Sequence, residues 1–488
     1  MKPMFFARRM RNRFLLALLV ILAALAATAA RRPRYGGTLT IEFAGRVMSL
    51  DPVQPQASGE DHLAQERLLT LIADRLVTLD DHGQPRPSLA WDFEKKSNGD
   101  PSGWLITLVP GRTFQDGTPA NYENIVPSLQ RANPTWSFRE LDVHSGQMNT
   151  QIISINTGIS VPDLPYILAE PRNSILLHKS FGAVVGTGPF RITTWEPGQH
   201  AVLTANDSYW AGRPFVDSID IQMGRDARDR MMDLDLSKSD VIEVSPESAR
   251  LATARGSRIS ASDPSELLAV AFMNASAAAK DIRVRQALSL AIDRASLVNV
   301  VLQKEGEPAT ALLPQWSAGY AFLFSAPFDP TASQQLVAQI SPVLALKLGY
   351  DSGDPLERMI AERIAVNAQA AGISVSALPA VNDSSASAFD ARLIRIPLAS
   401  PAPGVALENL LETLAVAEGP NPVFAPVASP DDLQYLNSRE RETLGAYDLI
   451  PLVHLPQVVG LSSRVRDWMP LRSGEWRLAD VWLDGAAP

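Results

Sequence analysis

The stretch from Gly186 to Asp220 constrains the fold of this 488-residue chain more than any other segment. It opens with Gly-Thr-Gly-Pro at 186–189, where glycine permits unusual backbone angles and proline fixes its own φ. Strand-forming residues then stand on both sides of the turn sequence Glu-Pro-Gly-Gln at 196–199. We therefore predict a hairpin around 190–203, followed by further strands that include Ile219-Asp220-Ile221.

A second segment, which begins at Asp281, has the spacing of a one-sided helix. Its apolar residues recur at i, i+3, i+4, i+7 and i+8, and they are Val284, Ala287, Leu288, Ala291, Ile292 and Ala295. Asp281 is suited to cap the N-terminus of this helix. On their own residues, both segments indicate framework and do not mark a ligand site.

The length of the chain exceeds what one hydrophobic core supports, so we expect two or three lobes. A composition with 46% hydrophobic and 20% charged residues is that of a folded globular protein. Strand 345–348, helix 355–371 and strand 373–375 alternate in the order of an α/β lobe. Residues 376–431 contain eight prolines, and we predict loops and short elements there.

The N-terminal segment has the layout of a secretory signal. Basic residues through Arg13 precede an apolar run at 14–27, and Ala27-Thr28-Ala29 offers the small residues of a cleavage site. We predict a signal peptide over residues 1–30. An uncleaved anchor is the alternative, since residues 14–30 are at the short limit for a membrane span. Arg8-Arg9 also suggests a twin-arginine export signal, although Arg11 and Arg13 stand where apolar residues are expected after the pair.

The chain has no cysteine, which excludes disulfides, thiolate nucleophiles, cysteine-based metal sites and a lipid anchor on an N-terminal cysteine. Its six histidines include no i, i+4 pair and no His-Glu-x-x-His sequence. A Gly-x-Ser-x-Gly elbow is missing too, and Gly186-x-Gly188 lacks the third glycine of a dinucleotide loop. We therefore predict no catalytic residues, no metal and no cofactor. A secreted hydrolase with a non-sequential site stays as an alternative.

The mature chain is acidic. The net charge of −9 becomes −14 once Lys2 and the four arginines of the leader are removed. Acidic proteins are repelled by nucleic acid and by anionic membrane surfaces, so we expect neither as a partner.

Six segments occur in an order that resembles a known family. Besides the two segments above, they are Tyr35–Ile41, Ser49-Leu50-Asp51-Pro52, Arg75–Leu79 and Pro110–Pro119. Their order and spacing resemble the extracytoplasmic solute-binding proteins of ABC importers, family 5, the peptide- and nickel-binding type. The sequence departs from the family pattern at Ala120–Ile125, and the stretch after residue 310 matches loosely.

The resemblance implies an α/β fold of the periplasmic binding-protein type, type II, peptide-binding cluster. It has two main lobes around a cleft and an inserted extra domain. Mapped onto this chain, lobe I comprises 31–57, 184–268 and 459–488, the inserted domain II comprises 58–183, and lobe III comprises 269–458. The solute lies between lobes I and III and is captured by hinge closure.

The resemblance also implies the function. The protein is expected to be a monomer in the periplasm that captures a peptide-like or other small solute and delivers it to ABC permease subunits in the inner membrane. A periplasmic receptor that is not coupled to transport is the alternative from another class, and the sequence does not separate the two.

Five residues are candidates for ligand binding, four of them by their expected place beside the cleft: Ser49, Asp51, Trp316, Tyr320 and Arg395. Peptide-binding relatives place an aspartate after a strand of lobe III, close to a tryptophan, where it pairs with the α-amine of the peptide. The corresponding stretch, Leu393–Pro403, has no tryptophan and no acid, and Arg395 is its one charge. Either the ligand is not a free-amine peptide or the anchor comes from elsewhere. We expect weak or no binding of simple di- and tripeptides with free amines.

Overall fold

A computed structural model describes residues 33–485, apart from 57–58, 97–101, 146–147, 159–160, 162, 180–182, 274–279, 341–344, 381–387, 399, 419–432 and 470–473. The predicted signal peptide lies outside the described residues.

The described residues form five sheets of very different size. Their strands, in chain order, are β1 Thr38–Glu42, β2 Val77–Leu79, β3 Pro85–Pro87, β4 Ala90–Lys95, β5 Gly103–Leu108, β6 Ser137–Ser145, β7 Met148–Asn156, β8 Leu177–His178, β9 Val184–Val185, β10 Phe190–Glu196, β11 His200–Ala205, β12 Ser218–Gln222, β13 Val241–Val244, β14 Arg258–Phe272, β15 Glu307–Pro308, β16 Ala345–Asp351, β17 Ser374–Ala380, β18 Ala391–Pro397, β19 Leu449–Leu461, β20 Val465–Arg466 and β21 Trp482–Leu483.

Helices cover the faces of the sheets. In chain order they are α1 Gly59–Ile72, α2 Tyr122–Ala132, α3 Leu164–Leu168, α4 Ala227–Asp235, α5 Pro246–Ala254, α6 Ile282–Ala291, α7 Arg294–Ser296, α8 Gln315–Ala318, α9 Pro330–Val337, α10 Pro355–Ala370, α11 Pro403–Glu418 and α12 Leu433–Ala446.

The largest sheet has the strand order β10-β11-β12-β1-β13-β19-β14-β18-β16-β17, with β15 added beside β19. Strand β1 is parallel to both of its neighbours, β12 and β13. Strands β14 and β19 are the long central pair and run antiparallel. Five strands lie on one side of this pair, which we call the lobe I side after the predicted division, and β18, β16 and β17 lie on the other, the lobe III side.

The β14–β19 pair crosses from one lobe to the other, and its pairing is interrupted at the crossing. Pro264 of β14 stands opposite Pro456 of β19, and the register shifts on both sides of Pro264. Proline has no amide hydrogen to donate, so two facing prolines weaken the ladder at this point. The interruption divides the sheet into two halves that pack against separate cores.

Separate hydrophobic cores mark the lobes. One joins β1 and β12 to the C-terminal tail, where Leu39, Ile219 and Trp476 are buried together. Helix α1 packs into this same core through Ala64, Leu68 and Leu69. Two further cores lie on the two faces of the lobe III half of the sheet, and another lies under the small sheet β4-β5-β7-β6.

The predicted hairpin is confirmed, as β10 and β11 pair antiparallel from Phe190↔Ala205 to Glu196↔His200. Its turn glycine, Gly198, has φ of 71°, as the turn requires. Gly186 and Gly188 have a different role from the one their turn sequence suggested, because they have no positive φ. A Cβ at Gly186 would lie 1.9 Å from the carbonyl oxygen of Ile72. These glycines allow the end of α1 to approach the backbone closely.

The helix predicted from Asp281 is confirmed as α6, and Asp281 accepts a hydrogen bond from the Arg283 amide at 2.9 Å. The prediction of loops and short elements over 376–431 is wrong for a large part of that range. It contains most of β17, all of β18 and the 16-residue helix α11. The prolines do not break these elements, because Pro397 ends β18 and Pro403 begins α11, where its missing amide hydrogen is not needed.

Buried His454 should make stability depend on pH in the acid range. Its side chain on β19 is 3% exposed, with Nε2 3.0 Å from the Leu312 carbonyl oxygen, and burial lowers its pKa to about 4. The stabilising contribution is therefore fully present above about pH 6.5, where unfolded histidine is neutral, and is lost as the pH falls towards 4. We expect His454→Phe to flatten the pH dependence of unfolding by up to about 1.4 kcal/mol per pH unit in that window.

The matched control for this prediction is His82→Phe, because His82 is exposed. The parent protein and both variants share the carboxylates that titrate in the same range. The difference between their slopes of unfolding free energy against pH therefore measures the contribution of His454 alone. Denaturant unfolding at intervals from pH 4 to 7 provides the measurement. Equal slopes for the His454 variant and the parent protein would contradict the assignment of a neutral buried imidazole.

Candidate functional site: the cavity between the lobes

A cavity of about 390 Å³ lies between the two halves of the large sheet. The lobe I side contributes α1, which packs on this lobe, the start of α4 and the β13–α5 connection. The lobe III side contributes β14 beyond Pro264, β18 and the start of α10. Residues 456–458 of β19 line it next to the crossing. Its charged lining residues are Glu60, Arg67, Arg225, Asp226, Arg230, Glu243, Glu247, Glu266, Asp354 and Arg395.

Arg395 is the centre of an ion-pair cluster on the lobe III wall. Its Nε and Nη2 donate to the two carboxylate oxygens of Glu266 at 2.9 and 2.6 Å, and its Nη1 donates to Asp354 at 2.8 Å. Burial lowers the pKa of the guanidinium, but these two carboxylates outweigh burial and raise it above its ordinary value. Each of the three guanidinium nitrogens already has a carboxylate partner. The charge of Arg395 is therefore already balanced by acids of the protein, which makes it a poor partner for an anionic ligand.

Local structure explains how this cluster is assembled. Arg395 and Glu266 lie on the adjacent antiparallel strands β18 and β14, where Leu268 is opposite Arg395 and Glu266 is two residues along. Such diagonal neighbours lie within reach of long side chains. Asp354 is the N-cap of α10 and accepts hydrogen bonds from the Leu356 and Glu357 amides. One carboxylate thus both caps a helix and holds the arginine.

The lobe I wall faces this cluster with a second ion pair. Arg67 of α1 pairs with Glu243 of β13, donates from Nη2 to Gln457 at 2.8 Å and lies over the Trp476 ring at 4.4 Å. Burial lowers the pKa of Arg67 to about 9. Glu60, at the start of α1, reaches across the cavity to within 4.0 Å of Arg395. The two lobes therefore meet through charged side chains.

Ser49 and Asp51 lie in the turn after β1, and neither lines this cavity. The Ser49 hydroxyl oxygen accepts a hydrogen bond from the Asp51 amide at 3.1 Å. The Asp51 carboxylate pairs with Arg131 of α2, in the predicted domain II. Burial raises the pKa of Asp51, but the hydrogen bonds from Arg131 outweigh it and leave the pKa below its usual value. Asp51 thus joins the segment after β1 to α2.

Trp316 and Tyr320 lie in lobe III beyond the crossing. The Trp316 indole Nε1 donates to the Pro264 carbonyl at 2.7 Å, so this side chain contacts the point where β14 changes register. Tyr320 is 6% exposed, belongs to a hydrophobic core and packs against Phe324. Of the five residues singled out from the sequence, Arg395 is the one that lines the cavity.

Sequence reasoning missed most of the charged residues in the cavity. Asp354-Pro355 is a recognisable helix start, so the position of Asp354 could have been found as an N-cap. Its approach to Arg395 could not have been found, because 41 residues separate them and 129 separate Arg395 from Glu266. Glu60 has no local signal of a role in the cavity.

Two observations concern other kinds of site. Within the described ranges, no group of three or more histidine, aspartate or glutamate side chains is placed to hold a metal ion. The helices of the described chain also include none that is long and apolar enough to cross a bilayer.

The fold and the cavity define a two-lobed α/β binding protein. Residues 84–413 match the middle region of the bacterial extracellular solute-binding proteins, family 5, and the chain belongs to this family. A curated relative, the glutathione-binding protein GsiB of Salmonella typhi, is 28% identical over 255 residues, which are 48% of this chain and 49% of that protein. The match thus spans about half the length of this relative.

Solved structures of other binding proteins have the same fold as this chain. The nickel-binding protein NikA from Staphylococcus aureus, in complex with Ni(L-His)2, superposes with a TM-score of 0.75 at 19% identity, over 92% of this chain and all of that chain. The dipeptide-binding protein from Pseudoalteromonas sp. SM9913, in complex with Met-Leu, gives 0.76 at 17% identity with the same coverage. The fold is therefore that of type II periplasmic peptide- and nickel-binding proteins, as the sequence predicted.

Proposed function

We propose that this protein is the solute-binding component of an ABC importer, which captures a small solute between its lobes and delivers it to permease subunits in the inner membrane. The observation that carries the proposal is the cavity of about 390 Å³ lined by both lobes beside the β14–β19 crossing. Ligand sites are concave and commonly lie between domains. Membership of family 5, and relatives named as glutathione-, nickel- and peptide-binding proteins, support the same function.

The proposal includes the division of the chain. Lobe I comprises 31–57, 184–268 and 459–488, domain II comprises 58–183 and lobe III comprises 269–458, with α1 packed on lobe I. The separate hydrophobic cores support this division except at its first boundary, because α1 packs into the core of lobe I. The protein acts as a monomer whose lobes close by bending at the paired prolines of β14 and β19, since interrupted pairing reduces the resistance of a ladder to bending.

Native mass spectrometry of the protein purified from the periplasm of its host tests the proposal. We expect a mass above that of the polypeptide, and a solute that is recovered chemically intact after denaturation. A solute that is converted to product on prolonged incubation would indicate a hydrolase instead. Loss of solute uptake on deletion of the gene would separate an importer component from a receptor that is not coupled to transport.

Release of the protein into the periplasm requires removal of the leader. Ala27-Thr28-Ala29 follows an apolar run, so signal peptidase cleavage should leave a mature N-terminus near Ala30. Intact-mass analysis of the periplasmic protein measures the residue at which the mature chain begins. A periplasmic protein that retained residue 2 would contradict this prediction and favour an uncleaved anchor.

A further inference from the structure

We propose that the solute of this cavity is an organic cation. This inference rests on the proposed function and narrows its ligand class. It follows from the partners of the charged groups that line the cavity, which include six carboxylates and four guanidiniums. The cavity is therefore negative by formal charge, and the contacts determine which of these charges are free to meet a solute.

The protein itself engages the guanidiniums. Arg395 is held by Glu266 and Asp354 through all three nitrogens. Arg67 pairs with Glu243 and donates from Nη2 to Gln457, and its Nε is buried without a hydrogen-bond partner among the described residues. A carboxylate of a solute would have to displace these partners, and each displaced acid would then be left without its cation in a partly buried site.

The other two arginines also donate hydrogen bonds to the protein. Arg225 donates from Nη2 to Asp233 at 2.8 Å, with Asp229 at 3.8 Å and Glu42 at 4.0 Å from its other nitrogens. Arg230 is 5% exposed and donates from Nε to the Glu243 carbonyl at 2.9 Å and from Nη1 to the Arg225 carbonyl. Both side chains thus form hydrogen bonds within the lobe I wall of the cavity.

Two carboxylates that line the cavity lack a close cationic partner or a complete set of hydrogen bonds. Glu60 has its nearest cation, Arg395, at 4.0 Å, and that guanidinium already serves two other acids. The Oε2 atom of Glu247 is buried and has no hydrogen-bond partner among the described residues. Buried polar atoms are normally hydrogen-bonded, so an unpartnered carboxylate oxygen at the wall of a cavity is suited to a donor on the ligand.

These charges also affect closure of the cleft. Glu60 interacts electrostatically with the acids Asp354 and Glu266 and with the cations Arg395 and Arg230. Two guanidiniums therefore balance only part of the charge of three carboxylates. Like charges brought together in a partly dehydrated site oppose closure, whereas a bound cation reverses the sign of the interaction. A zwitterionic di- or tripeptide brings a carboxylate, and each of the four guanidiniums of the cavity already donates at least one hydrogen bond to the protein. This agrees with the weak binding of such peptides expected from the sequence.

Calorimetry with three four-carbon probes of different charge tests the proposal on the ligand-free mature protein. The probes are putrescine, 1,4-butanediol and succinate, which are a dication, a neutral molecule and a dianion. We expect putrescine alone to bind, with an affinity that falls at high salt because exposed charges are screened. Glu60→Gln and Glu247→Gln should each weaken putrescine binding at least tenfold. Glu362→Gln is the control, since Glu362 is exposed and pairs with Arg358 outside the cavity.

The outcomes separate this inference from the proposed function. No binding of putrescine at millimolar concentration, preferential binding of succinate, or undiminished putrescine binding by the Glu60→Gln/Glu247→Gln protein would each overturn the cation assignment. An anionic or neutral solute recovered intact by native mass spectrometry would also overturn it, while leaving the solute-binding function in place. Equal melting temperatures of the variants and the parent protein exclude misfolding as the cause of lost binding.

Discussion

Gly186→Ala is expected to destabilise the protein by at least about 3 kcal/mol, a large effect for the addition of one methyl group. The new Cβ would lie 1.9 Å from the Ile72 carbonyl oxygen and 3.3 Å from the Ala73 Cα. Both are backbone atoms at the end of α1, so no side chain can rotate away. The same Ile72 oxygen accepts a hydrogen bond from the Gly188 amide at 3.0 Å, and moving α1 aside would break this bond.

Gly59→Ala is the matched control for this substitution. Gly59 begins the same helix, has no positive φ, and a Cβ there meets nothing within 4 Å. Alanine favours helix more than glycine, so this variant should be neutral or slightly stabilising. Denaturant unfolding of both variants provides the comparison. If the two alanine variants were equally stable, the close approach between α1 and residues 186–188 would be wrong.

Arg395→Met is the second large effect that we expect, a loss of about 3 kcal/mol. The substitution leaves Glu266 and Asp354 facing each other, with Glu60 close by, and removes the shared cation. The value lies at the low end of the range for breaking a buried ion pair, because the Arg395 side chain keeps 19% exposure. Thermal and denaturant unfolding at pH 7 measure the loss.

Two further variants make the Arg395 prediction specific. Combining Arg395→Met with Glu266→Gln and Asp354→Asn removes the unpaired charges, so it should restore much of the stability that the single change loses. Arg358→Met removes one partner of an exposed i, i+4 pair with Glu362 and should change stability by less than about 1 kcal/mol. A triple variant that is less stable than Arg395→Met would show that the cluster is held by something other than charge balance.

The hairpin and the helix were predicted well from the sequence because their signals are local, whereas the fold class came from the resemblance to family 5. The 190–205 hairpin is specified by a turn with glycine at positive φ, and α6 is specified by the apolar spacing after Asp281 and by its cap. The prediction for residues 376–431 was wrong because it used the number of prolines and not their positions. Proline is tolerated at the first position of a helix and at the end of a strand, so a count of prolines without their positions misjudged β18 and α11.

The charged residues of the cavity and their partners were much harder to predict from the sequence. Arg395 was found, but its function was left open, because an arginine between two isoleucines gives no sign of its partners. Glu266, Asp354 and Glu60 are brought to it by pairing of β14 with β18 and by the meeting of the two lobes. Such contacts depend on sheet order and on lobe closure, and neither is encoded by residue spacing within a single element.

The central claim is that two lobes close over a solute, and small-angle X-ray scattering with the solute recovered from the native protein tests it most directly. A solute that binds only the folded, closed form adds about 2.7 kcal/mol of stability at a hundredfold excess over Kd. We therefore predict a smaller radius of gyration together with a higher melting temperature, and a solute that remains intact. A solute that binds tightly and stays intact, yet leaves the radius of gyration unchanged, would contradict the closure of the two lobes around the cavity.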